Sequence, residues 1–229
     1  MVNLSKLDNP VWYSLMERHQ AVAINYINAK FYHPDYCPFG AFEASDHLSN
    51  GWIDYASLTD NFFIVGEKPT FPASLAIKRE VVCLQMVLEK QPQVEIKENI
   101  ALLDSKHEDA LFELVNLVQP GYFKRKTSQL GNYYGIFKDD KLVAVSGERM
   151  KLNGLVEISA IVTHPNYTSK GYAKQLITHT VNKIVERNCL PFLHVVQSNT
   201  SAIGLYNRLG FATRRTISFW NIVRVNGDH

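Results

Sequence analysis

One segment of this chain, residues 157–176, constrains the fold more than any other. It reads EISAIVTHPNYTSKGYAKQL: an apolar strand stops at His164-Pro165, a polar loop with a single glycine follows, and a helix then begins. Backbone N–H groups at a helix N-terminus carry a partial positive charge and can hold a phosphate group without a metal. The segment therefore predicts a strand, a tight loop around Gly171 and a helix, with a phosphate-binding cradle at the loop.

A second segment, residues 199–211, reads NTSAIGLYNRLGF and predicts a short helix. Its apolar side chains recur at helical spacing, and Gly210 supplies a C-terminal stop. Tyr206 lies on the apolar face, so it is either a core tyrosine or a group that faces a ligand. Asn199 stands at the expected N-cap and could also contact a ligand.

Composition and charge restrict the class of protein and its partners. Of 229 residues, 46% are hydrophobic and 20% charged, as in a globular protein rather than a disordered one. The net charge of +2 gives no reason to expect a nucleic-acid partner. We find no signal peptide and no stretch near the roughly 20 apolar residues of a membrane span. Three cysteines without a pairing-like spacing indicate reduced thiols. We therefore expect a cytoplasmic protein with no membrane partner.

In the second half of the chain, turn signals and periodicity agree. Asp139-Asp140 and Asn153-Gly154 are hairpin signals that link three strands. Apolar residues at helical spacing predict helices over residues 108–118 and 171–187, and a strand is expected at residues 94–103. The predicted order is β-α-(α)-β-β-β-α-β-α-β, in which the long helix joins two parallel strands by a right-handed crossover.

The first half is less regular. An Asp8-Asn9-Pro10 start signal precedes apolar residues at helical spacing. Residues 32–42, aromatic with two prolines and a glycine, are expected as a loop, and residues 62–66 as a short strand. Periodicity leaves residues 77–88 open between helix and strand.

A domain boundary is expected in the polar stretch EKQPQ at residues 89–93, where Pro92 disfavours continued helix. It divides the chain into a smaller N-terminal α/β domain, residues 1–92, and a second domain, residues 93–229, which holds both signature segments. The glycines of the first domain are isolated, so we expect no second cradle there.

Together the two segments resemble the GNAT N-acyltransferase superfamily, and most closely its glycine N-acyltransferase-like branch. The family's acyl-CoA loop has the pattern Arg/Gln-x-x-Gly-x-Gly/Ala, where this chain has Thr168-Ser169-Lys170-Gly171-Tyr172-Ala173. The last glycine and alanine match and Lys170 supplies a basic residue, whereas Thr168 and Ser169 depart from the usual residues. The family's second motif, Asn-x-x-Ala-x-x-Leu-Tyr-x-x-x-Gly-Phe, is complete from Asn199 to Phe211. The resemblance covers residues 94–225 well and the first 90 or so only loosely.

The resemblance implies an α/β protein with the GNAT fold, a mixed, mostly antiparallel sheet flanked by helices. In this branch the N-terminal half can be a degenerate copy of the same fold. The resemblance also implies an acyl-CoA-dependent N-acyltransferase that uses acetyl-CoA as co-substrate and no metal. The residues that would bind the co-substrate are Ile161, Val162 and Thr163 on the strand, Thr168, Ser169, Lys170, Gly171, Tyr172, Ala173 and Lys174 at the loop and helix start, and Asn199.

Direct transfer from a thioester to an amine needs a proton acceptor for the amine and benefits from a proton donor for the thiolate. Tyr206 resembles the family's tyrosine acid. Glu157 resembles in position the carboxylate proposed as base in glycine N-acyltransferase-like enzymes. Because strand side chains alternate, Glu157 is expected on the same face as Ile161 and Thr163. The alternatives to Glu157 are Glu148, His164, His194 and a water-relayed proton path.

The expected acceptor is a small-molecule primary amine or an amino acid, and the aromatic residues 32–42 are a candidate wall of its pocket. The β-rich tail, residues 211–225, forms one strand or two, and its part from residue 216 onwards could pair two subunits into a homodimer. An alternative of another class is a non-catalytic acyl-CoA-binding regulatory module, which would keep the cradle and lack the base.

Overall fold

The computed structural model describes residues 2–43 and 51–225, and within them eleven strands form one continuous sheet. The strands are β1 (Ala23–Asn25), β2 (Ala29–Tyr32), β3 (Phe39–Phe42), β4 (Asn61–Gly66), β5 (Leu75–Leu88), β6 (Ile100–Leu102), β7 (Tyr133–Lys138), β8 (Lys141–Leu152), β9 (Leu155–Thr163), β10 (Leu190–Val196) and β11 (Phe211–Arg224). The α-helices of the described residues are α1 (Pro10–Glu17), α2 (Gly51–Ala56), α3 (Glu108–Val118), α4 (Tyr172–Val185) and α5 (Thr200–Arg208). The strands lie in the order β1-β2-β3-β4-β11-β5-β10-β9-β8-β7-β6.

Within the described residues, this sheet is antiparallel except where β3 meets β4 and β9 meets β10. The predicted mixed, mostly antiparallel sheet flanked by helices is therefore confirmed. Both hairpin turns are also confirmed: Asp139 and Asp140 have φ values of 49° and 59°, and Gly154 has a φ of 81°. Two consecutive residues with positive φ are typical of a tight hairpin turn whose twist matches that of its strands.

Helices cover both faces of the sheet. Phe192 and Leu193 are neighbours in β10, so their side chains point to opposite faces. Phe192 is fully buried in a cluster with Leu15 of α1, whereas Leu193 is buried with Ile177 of α4. Within residues 2–43 and 51–225, no helix has the length and apolar character needed to cross a membrane.

β5 precedes the predicted domain boundary in sequence and yet lies between two strands that follow it. It pairs antiparallel with β10 on one side and with β11 on the other. Residues 77–88, which periodicity left open between helix and strand, are therefore strand. The predicted boundary near residue 92 falls just past the end of β5, beside a sheet that continues across it, and the division into two domains stays a prediction.

The C-terminal tail is a single strand, β11, rather than two. From Ser218 to Val223 it pairs with β4 on one edge and with β5 on the other. The expectation that this tail pairs between subunits is therefore wrong, because both of its edges already carry strands of the same chain. A homodimer itself stays a prediction.

Two expected elements differ from the structure. Residues 32–42 are not one loop, because β3 occupies their last four residues. Gly40 lies so close to Phe31 of β2 that a Cβ would sit 2.2 Å from the ring, and this close approach explains a glycine inside a strand. Of the strand expected at residues 94–103, only β6 forms. The N–H groups of Lys97 and Glu98 instead donate to Oε1 of Gln175, at 2.7 and 3.0 Å.

Candidate functional site

The site lies where β9 and β10 separate. The two strands pair with each other between residues 155–157 and 190–192. Beyond these residues β9 continues to Thr163 and β10 to Val196, and the described residues of the two strands no longer pair with each other. Backbone groups of both strands therefore face the gap, free to bind a ligand. A cavity of about 380 Å³ opens there and extends to the N-terminal half of the sheet.

A β-bulge in β9 shapes this gap. Ala160 has a φ of 51°, and between the pairs with Gly147 and Val145 of β8, β9 has one residue more than its partner. As a result Ile158 packs towards α4 and Val162 towards α3, although strict alternation would place both on one face. Ile161 packs with the cluster around Ile158. The expectation that Glu157 shares a face with Ile161 is therefore wrong.

At the predicted cradle, α4 begins without a side-chain cap on its first N–H groups. Gly171, the N-cap residue of α4, has a φ of 76°, and no side chain caps the helix. Ser169 has a φ of 63°, so the loop turns sharply twice before the helix begins. Lys170 and Lys174 are exposed beside it. Uncapped N–H groups next to two cations are suited to an anionic group.

Other residues of the predicted cradle have local roles. The side chain of Tyr172 is buried against Leu176 and anchors α4, so it could serve a ligand only through its backbone. The Thr168 hydroxyl donates to the carbonyl of Pro165 at 3.2 Å. Ala173 is half-buried in the first turn of α4. Thr163 is half-buried at the end of β9 and Val162 is buried, and only Ile161 of the predicted strand residues lines the cavity.

Tyr206 and Asn199 line the cavity from α5 and the turn before it. Asn199 Oδ1 accepts from the N–H of Ala202 at 3.1 Å, so the residue is an N-cap that also faces the cavity. Burial raises the pKa of Tyr206 to about 12, which keeps its phenol protonated at neutral pH. A protonated hydroxyl beside a cavity can donate a proton or a hydrogen bond.

Glu157 is engaged in a buried ion pair. Its carboxylate accepts from Nε and Nη2 of Arg149 at 2.8 and 2.7 Å, and from the N–H of Met150 at 3.3 Å. His194 Nδ1 lies 2.8 Å from Oε1. Burial alone would raise the pKa of Glu157, but the charge of Arg149 and the hydrogen bonds overcome it and lower the pKa to about 2. These contacts argue against the predicted role of Glu157 as general base, because a base needs a free oxygen and a pKa nearer neutrality.

His194 is held by partners on both ring nitrogens. Gln85 Oε1 accepts from Nη1 of Arg214 at 2.9 Å, which fixes the amide so that its nitrogen faces His194 Nε2 at 3.1 Å. Nε2 is therefore the acceptor, and Nδ1 carries the proton that faces Glu157. His194 lines the cavity, but both of its ring nitrogens are engaged, and the ring holds Glu157 in place.

The remaining base candidates lie elsewhere. Glu148 is fully buried and paired with Arg187 and Lys151, and it does not line the cavity. His164 Nδ1 accepts from the N–H of Asn166 at 3.2 Å, as the cap of a short turn. Over the described stretches of the chain, no group of three or more His, Cys, Asp or Glu side chains is placed to hold a metal ion.

The far end of the cavity is aromatic and cationic, and sequence reasoning missed most of it. Phe39, Tyr122 and Phe219 form its walls, and Arg79 and Arg149 reach it from β5 and β8. Phe39 comes from the aromatic residues 32–42, as expected for a pocket wall. The other four converge from distant parts of the sequence, and no local motif marks them.

Comparison with known proteins agrees with this geometry. Residues 133–220 match the family of FR47-like proteins. A stretch of 56 residues is 36% identical to an acetyltransferase of Yersinia pestis. It covers 24% of this chain and 39% of that relative, so the chain spans well under half the length of the curated relatives it matches.

Solved structures resemble the whole described chain. A candidate acetyltransferase of the GNAT family from Novosphingobium aromaticivorans superposes with a TM-score of 0.84 at 29% identity, over 96% of this chain and 99% of that one. A GCN5-related N-acetyltransferase-like protein from Streptococcus suis has a TM-score of 0.65 at 11% identity, over 97% of both chains. The second similarity is one of fold alone.

Proposed function

We propose that this chain is an acetyltransferase of the GNAT family and that it transfers an acetyl group from acetyl-CoA to a primary amine. One observation supports this most: a single cavity joins the gap between β9 and β10, the Tyr206 hydroxyl and an aromatic end large enough for a second substrate. Membership of the glycine N-acyltransferase-like branch and a cytoplasmic location stay predictions from the sequence.

The acyl donor would lie across the gap between the strands. Its pyrophosphate would bind the open start of α4 and the amines of Lys170 and Lys174, and its pantetheine arm would bind backbone groups around Ile161. The bulge at Ala160 supports this arrangement, because it turns backbone groups of β9 towards the cavity. The departures at Thr168 and Ser169 leave the backbone donors of the loop in place.

The amine nitrogen attacks the thioester carbonyl, an N–C bond forms and the C–S bond breaks. Tyr206 gives its phenolic proton to the departing thiolate and regains one from water. The amine loses its protons to water, since none of the described residues that line the cavity is Asp or Glu. Glu157 then acts as a positioning residue that holds Arg149 and His194, which is a revision of its predicted role as base.

Release of free thiol from acetyl-CoA in the presence of amines and amino acids tests this function. Tyr206→Phe should lower the rate about tenfold or more, the lower end of general acid catalysis, without loss of folding. Tyr13→Phe, a tyrosine of α1 that does not line the cavity, is the matched control and should leave the rate unchanged. Binding of CoA without turnover on any amine would instead support the acyl-CoA-binding module.

A further inference from the structure

We propose that the acceptor amine also carries a carboxylate and an apolar side chain, and that Arg79 binds this carboxylate. This inference rests on the proposed function and narrows the class of its second substrate. A zwitterionic amino acid with an aromatic or branched side chain has this chemistry.

We call the aromatic end of the cavity, between Phe39, Tyr122 and Phe219, the acceptor end, and the charged side chains that line it are cationic. Arg79 and Arg149 are the lining residues with a full charge at neutral pH, and no Asp or Glu lines the cavity within the described residues. The charge of Arg149 is neutralised by Glu157 in a two-point ion pair. The positive charge available to a ligand is therefore that of Arg79.

Arg79 has no carboxylate partner among the residues that the structure describes. Its Nη2 donates to the hydroxyl of Tyr122 at 3.3 Å, and its guanidinium carbon lies 5.9 Å from the ring centroid of Phe63. These two contacts hold the side chain at the cavity and leave other N–H groups of the guanidinium free to bind. A planar guanidinium matches the two oxygens of a carboxylate.

The walls beside Arg79 are aromatic. The ring centroids of Phe39 and Phe219 lie 5.3 Å apart, and those of Phe39 and Tyr122 lie 6.4 Å apart. Rings so placed favour an apolar or aromatic group on the ligand. Polyamines and other polycationic amines would meet an arginine and no counter-charge, so this pocket disfavours them.

The spacing along β5 suits one small acceptor. Arg79, Val81 and Cys83 alternate onto the cavity, and Cys83 pairs with Val196 beside the gap for the acyl donor. Arg79 lies four residues earlier, roughly 13 Å along the strand. We infer that the acceptor lies along this span of β5, with its carboxylate at the guanidinium and its amine at the gap.

Steady-state kinetics with matched acceptors test the inference. L-phenylalanine should be a better acceptor than L-phenylalaninamide or spermidine at equal concentrations of unprotonated amine. Arg79→Gln should raise KM for phenylalanine about tenfold, leave kcat nearly unchanged and leave the amide unaffected, as expected for loss of one charge-assisted contact. Lys78→Gln is the control, since Lys78 is the exposed neighbouring cation outside the cavity. Equal use of the amide, or an equal effect of Arg79→Gln on both acceptors, would overturn the inference.

Calorimetric binding of N-acetyl-L-phenylalanine and its amide separates this inference from the proposed function. The acid should bind about tenfold more tightly or better, and Arg79→Gln should abolish the difference. Preference for the acid without turnover on any amine would refute the proposed function and support the carboxylate site. Turnover of amines without any preference for the acid would support the function and refute the carboxylate site.

Discussion

Replacement of Glu157 by glutamine should destabilise the protein severely rather than remove a catalytic base. The carboxylate is fully buried and accepts from Arg149 and from the N–H of Met150, with His194 at its other oxygen. The variant leaves the largely buried cation of Arg149 without its partner. Loss of one partner of a buried ion pair costs about 3–5 kcal/mol of unfolding free energy.

The pKa of Glu157 leads to a similar magnitude. It falls from an ordinary value of 4.5 to about 2 in the folded protein. The difference is about 2.5 pKa units, at about 1.36 kcal/mol each. The ionised carboxylate therefore contributes roughly 3 kcal/mol to the free energy of unfolding. Because the folded pKa is the lower one, this stability is present above pH 4.5 and is lost as the pH falls towards 2.

Thermal unfolding at neutral pH checks the prediction. For a chain of this size, 3–5 kcal/mol lowers Tm by roughly 10 °C. Glu186→Gln is the control, because Glu186 forms an exposed pair with Lys183 and should shift Tm little. Replacement of both buried partners, Glu157→Leu with Arg149→Met, should recover part of the loss. A Glu157→Gln variant with unchanged Tm and greatly reduced turnover would refute this reasoning and restore Glu157 as the base.

Two further predictions concern the donor and the proton path. Gly171→Ala should raise KM for acetyl-CoA several-fold with a smaller effect on kcat, because alanine at a φ of 76° costs about 1–2 kcal/mol and would move the cradle. The control is Gly154→Ala, at a φ of 81° in a distant turn, which should lower stability but not affect KM. Equal KM values for the two variants would contradict the cradle. If water accepts the amine proton, kcat/KM should rise with pH up to the pKa of the acceptor amine and shift with that pKa across acceptors; a rise fixed at one pKa for all acceptors would instead indicate a side-chain base.

The sequence allowed prediction of those parts of the fold and site that local signals determine. The hairpin turns, α3, α4, α5 and the parallel crossover follow from turn residues and periodicity. The bulge at Ala160 has no such signal, since alanine rarely adopts a positive φ, and it reversed the expected face of Ile161. The position of β5 between β10 and β11 depends on pairing between distant residues, which periodicity does not encode. The pair of Arg149 and Glu157 has no such signal either. A regular ladder from the Asn153-Gly154 turn would place Met150 opposite Glu157, and only the register shift between Glu148 and Lys151 brings Arg149 to the same face.

The residues at the acceptor end of the cavity could not be predicted from the sequence either. Arg79, Tyr122 and Phe219 come together only because the sheet brings β5, β11 and the loop after α3 to one cavity. Their spacing in sequence carries no pattern, so only the folded chain identifies them as neighbours.

The most direct test of the central claim is a residue-resolved NMR titration of the protein with acetyl-CoA. The account predicts that amide signals change at residues 158–163 of β9, at the loop and helix start of residues 168–174, and around Asn199, and that signals on β1 and β2 stay constant. Absence of any change at millimolar acetyl-CoA, or changes confined to other surfaces, would contradict the claim that this chain binds an acyl-CoA between β9 and β10.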